Sequence, residues 1–375
     1  MPEPTTVQHI LNRFLCADGL DSGRRKVCGH LQACRTERLG GLRLRCDQCD
    51  REQQWYHSCR DRHCPQCQNR ATQAWCEQQR SQLLPVTYYH LVFTLPHTLN
   101  GWVQLHPREL HRLLFQSAWA TLKAFGQDPR RLGGELGMTA VLHTWGQTLT
   151  QHVHLHCLVP GGALREDGQW QSCQGNYLFP VKALSRRFRG LMVSALRQAA
   201  ASGALSRVSH PGEIDRVLDA LMRESWNVYT KACLNRGATV VDYLGRYTHR
   251  IAITQQRIVK VDEDEVHFTY KDYRTEQRKV MVLSGEEFVR RFLQHILPKG
   301  LMRVRHYGFL ANRCRRQKLD QVRRALSMAR PPAATAAPRK EAAEYPCPRC
   351  RKGRLHVIAE ISRPVPCPTL KARRC

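Results

Sequence analysis

Two Cys-x-x-Cys turns constrain this chain more than any other feature. Cys46-Asp-Gln-Cys49 is followed, after fourteen residues, by Cys64-Pro-Gln-Cys67. Each turn offers two thiolates from one tight bend, and two such turns predict a closed tetrahedral zinc site. The surrounding residues 1–82 hold few long apolar runs, so metal must replace much of a core there. His57, Cys59 and His63 lie between the turns and can substitute for one ligand. Cys28, His30 and Cys34 offer a second partial site, completed by Cys59 or His57. Near the C-terminus, Cys347-Pro-Arg-Cys350 is half of a further ribbon, with Cys367 and Cys375 as completing ligands. The 17 cysteines are an odd number set in close pairs, which argues for metal in a reducing, cytoplasmic compartment rather than for a disulfide framework.

Charge adds a partner. Lys and Arg number 59 against 31 Asp and Glu, a formal net charge of +28. Such an excess attracts polyanions and neutralises phosphates. Arg outweighs Lys, which suits bidentate phosphate contact, and the first module is expected to present Arg60, Arg62 and Arg70 to DNA. No apolar run reaches membrane-spanning length and no signal peptide is visible, so no membrane partner is expected.

From Leu83 the texture changes to that of a buried core. Leu83–Leu95 reads as a strand ended by Pro96, and Pro107–Phe125 as a helix with Pro in its first turn. Met138–Trp145 and His152–Val159 read as adjacent strands, with Ser185–Ala201 and Ile214–Tyr229 as helices. A short helix is expected over Thr239–Tyr247. Short strands follow at Arg250–Ile253, Arg257–Val261 and Val266–Tyr270. Ser284-Gly-Glu-Glu287 predicts a capping box opening a helix Glu286–Leu297. Residues 303–330 carry nine Lys or Arg and one acidic residue, a phosphate-contacting face. Pro331–Ala343 reads as a linker.

Chemistry enters at His152-Val-His-Leu-His156. On a strand, alternate residues share a face, so three imidazoles point one way while Val153 and Leu155 point into the core. Such a face can hold a divalent ion with positions open for a phosphate oxygen. Tyr243-Leu-Gly-Arg-Tyr247 places two phenols one helical turn apart. A phenol can attack a phosphodiester and conserve the bond as a phosphotyrosine, assisted by Arg246, His249 or Arg250. A tyrosine pair alone reads as core packing; beside the histidine strand it reads as a nucleophile pair. Gly245, between them, costs helix stability.

These segments together resemble the transposases of the ninety-one family of insertion sequences, which belong to the HUH endonucleases. The resemblance runs over residues 8 to 315. It is carried by Cys34-Arg-Thr, Asp61-Arg-His-Cys-Pro-Gln-Cys67, Leu142-His-Thr-Trp-Gly-Gln147, the histidine strand with Gly161-Gly162, Tyr243–Arg250 and Arg303-Val-Arg-His-Tyr-Gly308. It implies an α+β fold: an HUH endonuclease domain on a mostly antiparallel sheet, preceded by a small zinc-binding domain. The division expected is a zinc module over 1–82, a nuclease domain over 83–315, a basic tail and linker over 316–345, and a C-terminal segment over 346–375. The resemblance implies that His154 and His156 hold magnesium or manganese, with His152 a candidate third ligand. Tyr243 and Tyr247 would be the nucleophiles of a rolling-circle transposase acting on single-stranded DNA at element ends and target site. Host replication proteins are a further expected partner, and the nucleoid the expected location. Arg246, Arg250, Arg303 and Arg305 are expected to contact DNA beside Arg60 and Arg62. The alternatives are a non-catalytic zinc-dependent DNA-binding protein, and a replication initiator or relaxase of the same chemistry.

Overall fold

The structure is a computed structural model. It describes residues 5–173, 175, 177–208, 212–233, 241, 245, 252–327 and 345–364. The chain forms two compact units, neither continuous in sequence. Residues 1–70, 253–296 and 331–375 make the first, and 71–252 with 297–330 make the second. The expected sequential division at 82, 315 and 345 therefore gives way to an interleaved one. Its cause is long-range pairing, which composition along the chain does not report.

The first unit contains a four-stranded antiparallel sheet. β1 (Gly41–Cys46) pairs on one side with β2 (Glu52–Tyr56) and on the other with β14 (Arg354–Ile361), which in turn pairs with the short β13 (Tyr345–Pro346). A separate meander, β9 (Ile258–Val261), β10 (Glu265–Lys271) and β11 (Arg278–Ser284), leads into the helix Gly285–Leu293. The expected cap is present: the Ser284 hydroxyl accepts from the Glu287 N–H at 3.3 Å. This helix packs on the helix Val7–Phe14, and a Cβ at Gly285 would lie 2.2 Å from the Phe14 ring. β11 escaped the sequence reading because neither of its faces is deeply buried, so its apolar alternation is weak.

The second unit is built on a five-stranded antiparallel sheet in the order β12-β4-β5-β3-β8. Its strands are β3 (Tyr88–Thr94), β4 (Gly137–Trp145), β5 (Gln151–Pro160), β8 (Val228–Cys233) and β12 (Val304–Gly308). A hairpin of β6 (Gly162–Leu164) and β7 (Trp170–Ser172) follows β5. One sheet face contributes Leu91, Phe93, Leu142, Val153, Leu155 and Cys157 to the main core. There it meets Leu114, Phe115, Phe188 and Met192 of the helices Pro107–Gln127 and Val181–Ala201. Each such side chain, fully buried, contributes roughly 1.5–3 kcal/mol. Fold class is thus α+β on an antiparallel sheet.

Two local expectations need correction. The helix expected over Ile214–Tyr229 ends at Arg223, and Val228–Cys233 becomes the edge strand β8 on β3. Sheet pairing overrides helical periodicity where β-branched and aromatic residues meet an open edge. Ala252 and Ile253 form no strand; the rest of the expected strand Arg250–Ile253 lies outside the described residues. Among the described residues no helix is long and apolar enough to cross a membrane.

Candidate active site and metal centres

The central strand β5 carries the histidines on the sheet face opposite the main core. His154 and His156 are buried, while His152 is only half-buried. Alternation does place the three on one side, but His152 and His156 lie four residues apart, about 13 Å along a strand. The imidazole nitrogens that lie together include those of His154 and His156 but not that of His152. A further imidazole comes from the neighbouring strand β4. His143 on β4 pairs directly with His154, and the ligand nitrogens of His143, His154 and His156 all lie within 4.8 Å of one another. The structure therefore puts His143 where the sequence reading had His152. His152 instead stacks on His97, ring centroids 5.2 Å apart.

Hydrogen bonds orient the rings. The His154 Nδ1 lies 2.8 Å from the His152 carbonyl, so it carries the proton and leaves Nε2 with its lone pair free. That Nε2 is 3.1 Å from the His156 Nε2, and the His156 Nδ1 is 2.8 Å from the His90 Nε2. With Nδ1 of His156 donating to His90, both Nε2 lone pairs converge on one point, the arrangement that ligating imidazoles require. Burial keeps the rings neutral. It lowers His154 to about 3 and His90 to about 4, and His156 falls well below its ordinary value through burial and then its histidine neighbours and Arg303. Three convergent, buried imidazoles, with His154 and His156 held neutral by burial, fit a divalent ion.

Arg303 is buried rather than spread on the surface. Its Nε donates to the Leu142 carbonyl at 3.1 Å and its guanidinium lies over the Trp145 ring, 5.0 Å from the centroid. Expected as a DNA contact, it is instead packed beside the histidine group, and His143 stacks on the same Trp145 at 4.5 Å. Arg305 lies over Phe115 at 4.2 Å and is half-buried. Arg60 and Arg62 are exposed in the loop after β2.

Tyr243, Tyr247, Arg246, His249 and Arg250 lie outside the described residues. Of the expected helix Thr239–Tyr247 two residues are described, Val241 and Gly245, both helical. The Cys76 thiol, on the helix Gln68–Arg80, lies 3.8 Å from the Val241 carbonyl, and a Cβ at Gly245 would stand 2.2 Å from the Cys76 sulfur. That close approach explains the glycine between the tyrosines.

The cysteine turns do not close on each other. Cys64 and Cys67 converge with Cys34 and Cys59, while Cys46 and Cys49 face Cys347 and Cys350. In the first group the Sγ–Sγ separations are 3.5 Å for Cys34–Cys67, 3.7 Å for Cys59–Cys67 and 3.5 Å for Cys34–Cys64. Zn–S bonds of about 2.3 Å in a tetrahedron set the sulfurs about 3.8 Å apart, so the group fits zinc. The expected set of Cys46, Cys49, Cys64 and Cys67 fails because β1 and β2 carry the first turn to the far end of a hairpin.

The remaining candidates around it have other roles. Cys28 is fully buried in the helix Ser22–Ala33, and burial raises its thiol to about 12, the state of an inert core cysteine. His30 and His63 both bond Asp61 through Nδ1 at 2.9 Å. Burial alone would raise the Asp61 carboxyl; hydrogen bonds from His63 and His30 outweigh it and bring it to about 2. His57 is exposed and joins no ligand group among the described residues. Cys367 and Cys375 lie outside the described residues.

Two family models match separate parts of the chain. A family model described as "Putative transposase" matches residues 137–318, and one described as "Transposase zinc-binding domain" matches residues 6–95. The chain is 42% identical over 357 residues to "Putative transposase y4qJ" of Sinorhizobium fredii, covering 90% of each. It belongs to the insertion-sequence transposases. A second relative, the transposase for insertion sequence element IS801 of Pseudomonas savastanoi pv. phaseolicola, is 32% identical over 308 residues, 80% of this chain and 73% of that one. The structure of the conjugative relaxase TrwC with mutant oriT DNA overlaps 42% of this chain and 71% of its own, at 11% identity and a TM-score of 0.25. That overlap is too loose to assign any residue. In this transposase the first cysteine group falls wholly inside the zinc-binding match, and structural zinc belongs to the protein. The histidine group falls inside the other match.

Proposed function

We propose that this transposase works by a rolling-circle mechanism, nicking and rejoining single-stranded DNA at insertion-sequence ends through Tyr243 and Tyr247. The observation that carries the reading is the convergence of His143, His154 and His156 on a rigid central strand pair, in a chain of the transposase family. These three residues would hold the divalent ion, and three imidazoles favour manganese over magnesium on ligand softness. When bound, the ion supplies Lewis-acid polarisation of a phosphate oxygen.

The protein's own groups do the rest. The phenolic oxygen of one tyrosine gives up its proton and forms a bond to phosphorus. The P–O3′ bond breaks, and the 3′ oxygen leaves and takes up a proton. A 5′-phosphotyrosine remains, so a second 3′ hydroxyl can reverse the exchange without outside energy. The second tyrosine provides for a second cut. Arg303, fixed by Leu142 and Trp145, keeps a permanent positive charge near the histidines, where phosphate charge must be offset. Exposed Arg60 and Arg62 suit phosphate contacts that position the strand.

Trapping of a covalent adduct tests this. The protein, with manganese or magnesium, is mixed with end-labelled single-stranded oligonucleotides from the element's ends and resolved on a denaturing gel. A metal-dependent adduct lost in the Tyr243→Phe/Tyr247→Phe double variant is the expected result. Tight binding with no adduct under any metal would favour the non-catalytic reading. Adduct formation on plasmid origins but never on element ends would favour an initiator or relaxase.

A further inference from the structure

We infer that Cys46, Cys49, Cys347 and Cys350 form a second, bipartite zinc site that latches the C-terminal hairpin onto the N-terminal module. The zinc-binding family match stops at residue 95 and so leaves half of these ligands unassigned. The four sulfurs lie within 4.8 Å of one another, with Cys46–Cys350 and Cys49–Cys347 both at 3.7 Å. That is far beyond a disulfide's roughly 2.05 Å, and matches the sulfur separation of a zinc tetrahedron, about 3.8 Å.

Both turns have the backbone of metal-holding knuckles. The Gln48 N–H points at the Cys46 sulfur at 3.4 Å, and the Gly353 N–H at the Cys350 sulfur at 3.3 Å. Such bonds favour a thiolate. The turns are also tied to each other. Asp47 N–H donates to the Arg354 carbonyl at 3.0 Å, and the Arg354 N–H donates to the Asp47 carboxylate at 2.8 Å. A Cβ at Gly353 would stand 2.5 Å from the Cys46 sulfur, so the second turn closes over the first only with glycine there.

The surrounding packing shows why metal is needed. The buried cluster under this sheet consists of Leu44, Cys46, Cys347 and Leu355, so half of it is the thiols themselves. Trp55 and Tyr345 add one edge-to-face contact at 4.5 Å. On β14, Val357 and Ile358 remain exposed. A core this small does not stabilise a hairpin against the entropy of tethering residues 304 apart in sequence, as Cys46 and Cys350 are. Metal binding supplies that free energy in domains of this kind. Without the latch, β1 loses its β14 partner and presents an open edge.

The test uses the full-length protein. Zinc held by cysteine is counted by titration with an organomercurial in the presence of a zinc indicator, which does not report metal left on imidazoles. Two zinc ions per chain are expected in the wild type, and one in Cys347→Ser/Cys350→Ser. In that variant Cys46 and Cys49 should become reactive to alkylation, mapped by mass spectrometry, while Cys34, Cys59, Cys64 and Cys67 stay protected. One zinc in the wild type, two in the variant, or continued protection of Cys46 and Cys49 would each overturn the proposal. Should the variant not fold, the wild type still decides. Thiols modified together with each zinc released should fall into the sets 46/49/347/350 and 34/59/64/67. Modification of 46/49 in step with 64/67 would refute the latch.

Discussion

His143 on β4 stands directly opposite His154 on β5, in the register that also sets Val141 against His156. The ring centroids of His143 and His154 are 5.2 Å apart. His143→Ala should therefore damage cleavage as severely as His154→Ala or His156→Ala, by at least the roughly 10–100-fold that even outer partners of a metal site cost. His152→Ala should cost far less. Nicking rates on a labelled oligonucleotide, with binding measured in parallel, check this. Full cleavage by His143→Ala would remove it from the site.

Gly245 leaves no room for a side chain beside Cys76. Gly245→Ala should be destabilising, by about 1–3 kcal/mol as for other overpacked contacts, and should lower adduct yield. Trimming the sulfur should undo part of the damage. The Gly245→Ala/Cys76→Ala double variant is thus expected to melt above the single Gly245→Ala variant and to recover adduct. A double variant no better than the single would show that the approach of the two residues is not what demands glycine.

Within the first zinc group, position and not residue type decides. Cys34→Ser should lose one zinc and lower the melting temperature of the protein. Cys28→Ala, six residues earlier on the buried side of a helix, should keep the full zinc content and lose only packing energy. Metal analysis after gel filtration separates the two outcomes, and zinc loss in Cys28→Ala would reinstate Cys28 as a ligand.

His111 gives a pH signature independent of metal. It is buried in the helix Pro107–Gln127, and neither ring nitrogen has a hydrogen-bond partner. Burial, with a smaller contribution from Arg305, lowers it to about 4. Its folded pKa lies below the unfolded value of about 6.5, so the unfolded chain binds the extra proton first. Stability is retained above about pH 6.5 and falls as pH drops toward 4. By pH 5 the loss is about 2 kcal/mol. Melting curves should show His111→Leu gaining on the wild type as pH falls from 7 to 5; a constant gap would mean that His111 does not titrate in this window.

Much of this protein was legible in sequence because it is local. Alternation in His152–Val159 identified β5 and its two faces, and the Val153 and Leu155 side did enter the core. Ser284 and Glu287 marked a helix start that the structure reproduces. Thiol pairs three residues apart announced zinc because a single tight turn suffices to present both ligands.

What sequence alone could not decide was partnership between distant segments. Cys46-Asp-Gln-Cys49 reads the same whether it closes on Cys64 and Cys67 or on Cys347 and Cys350. Only the pairing of β1 with β14 brings the latter pair within reach. Likewise His143 shows no local sign of ligation, since its nearness to His154 is a property of strand register. Periodicity reports which face a residue occupies. Tertiary structure alone decides what stands across from it, because that choice is set by pairing and burial summed over the whole chain.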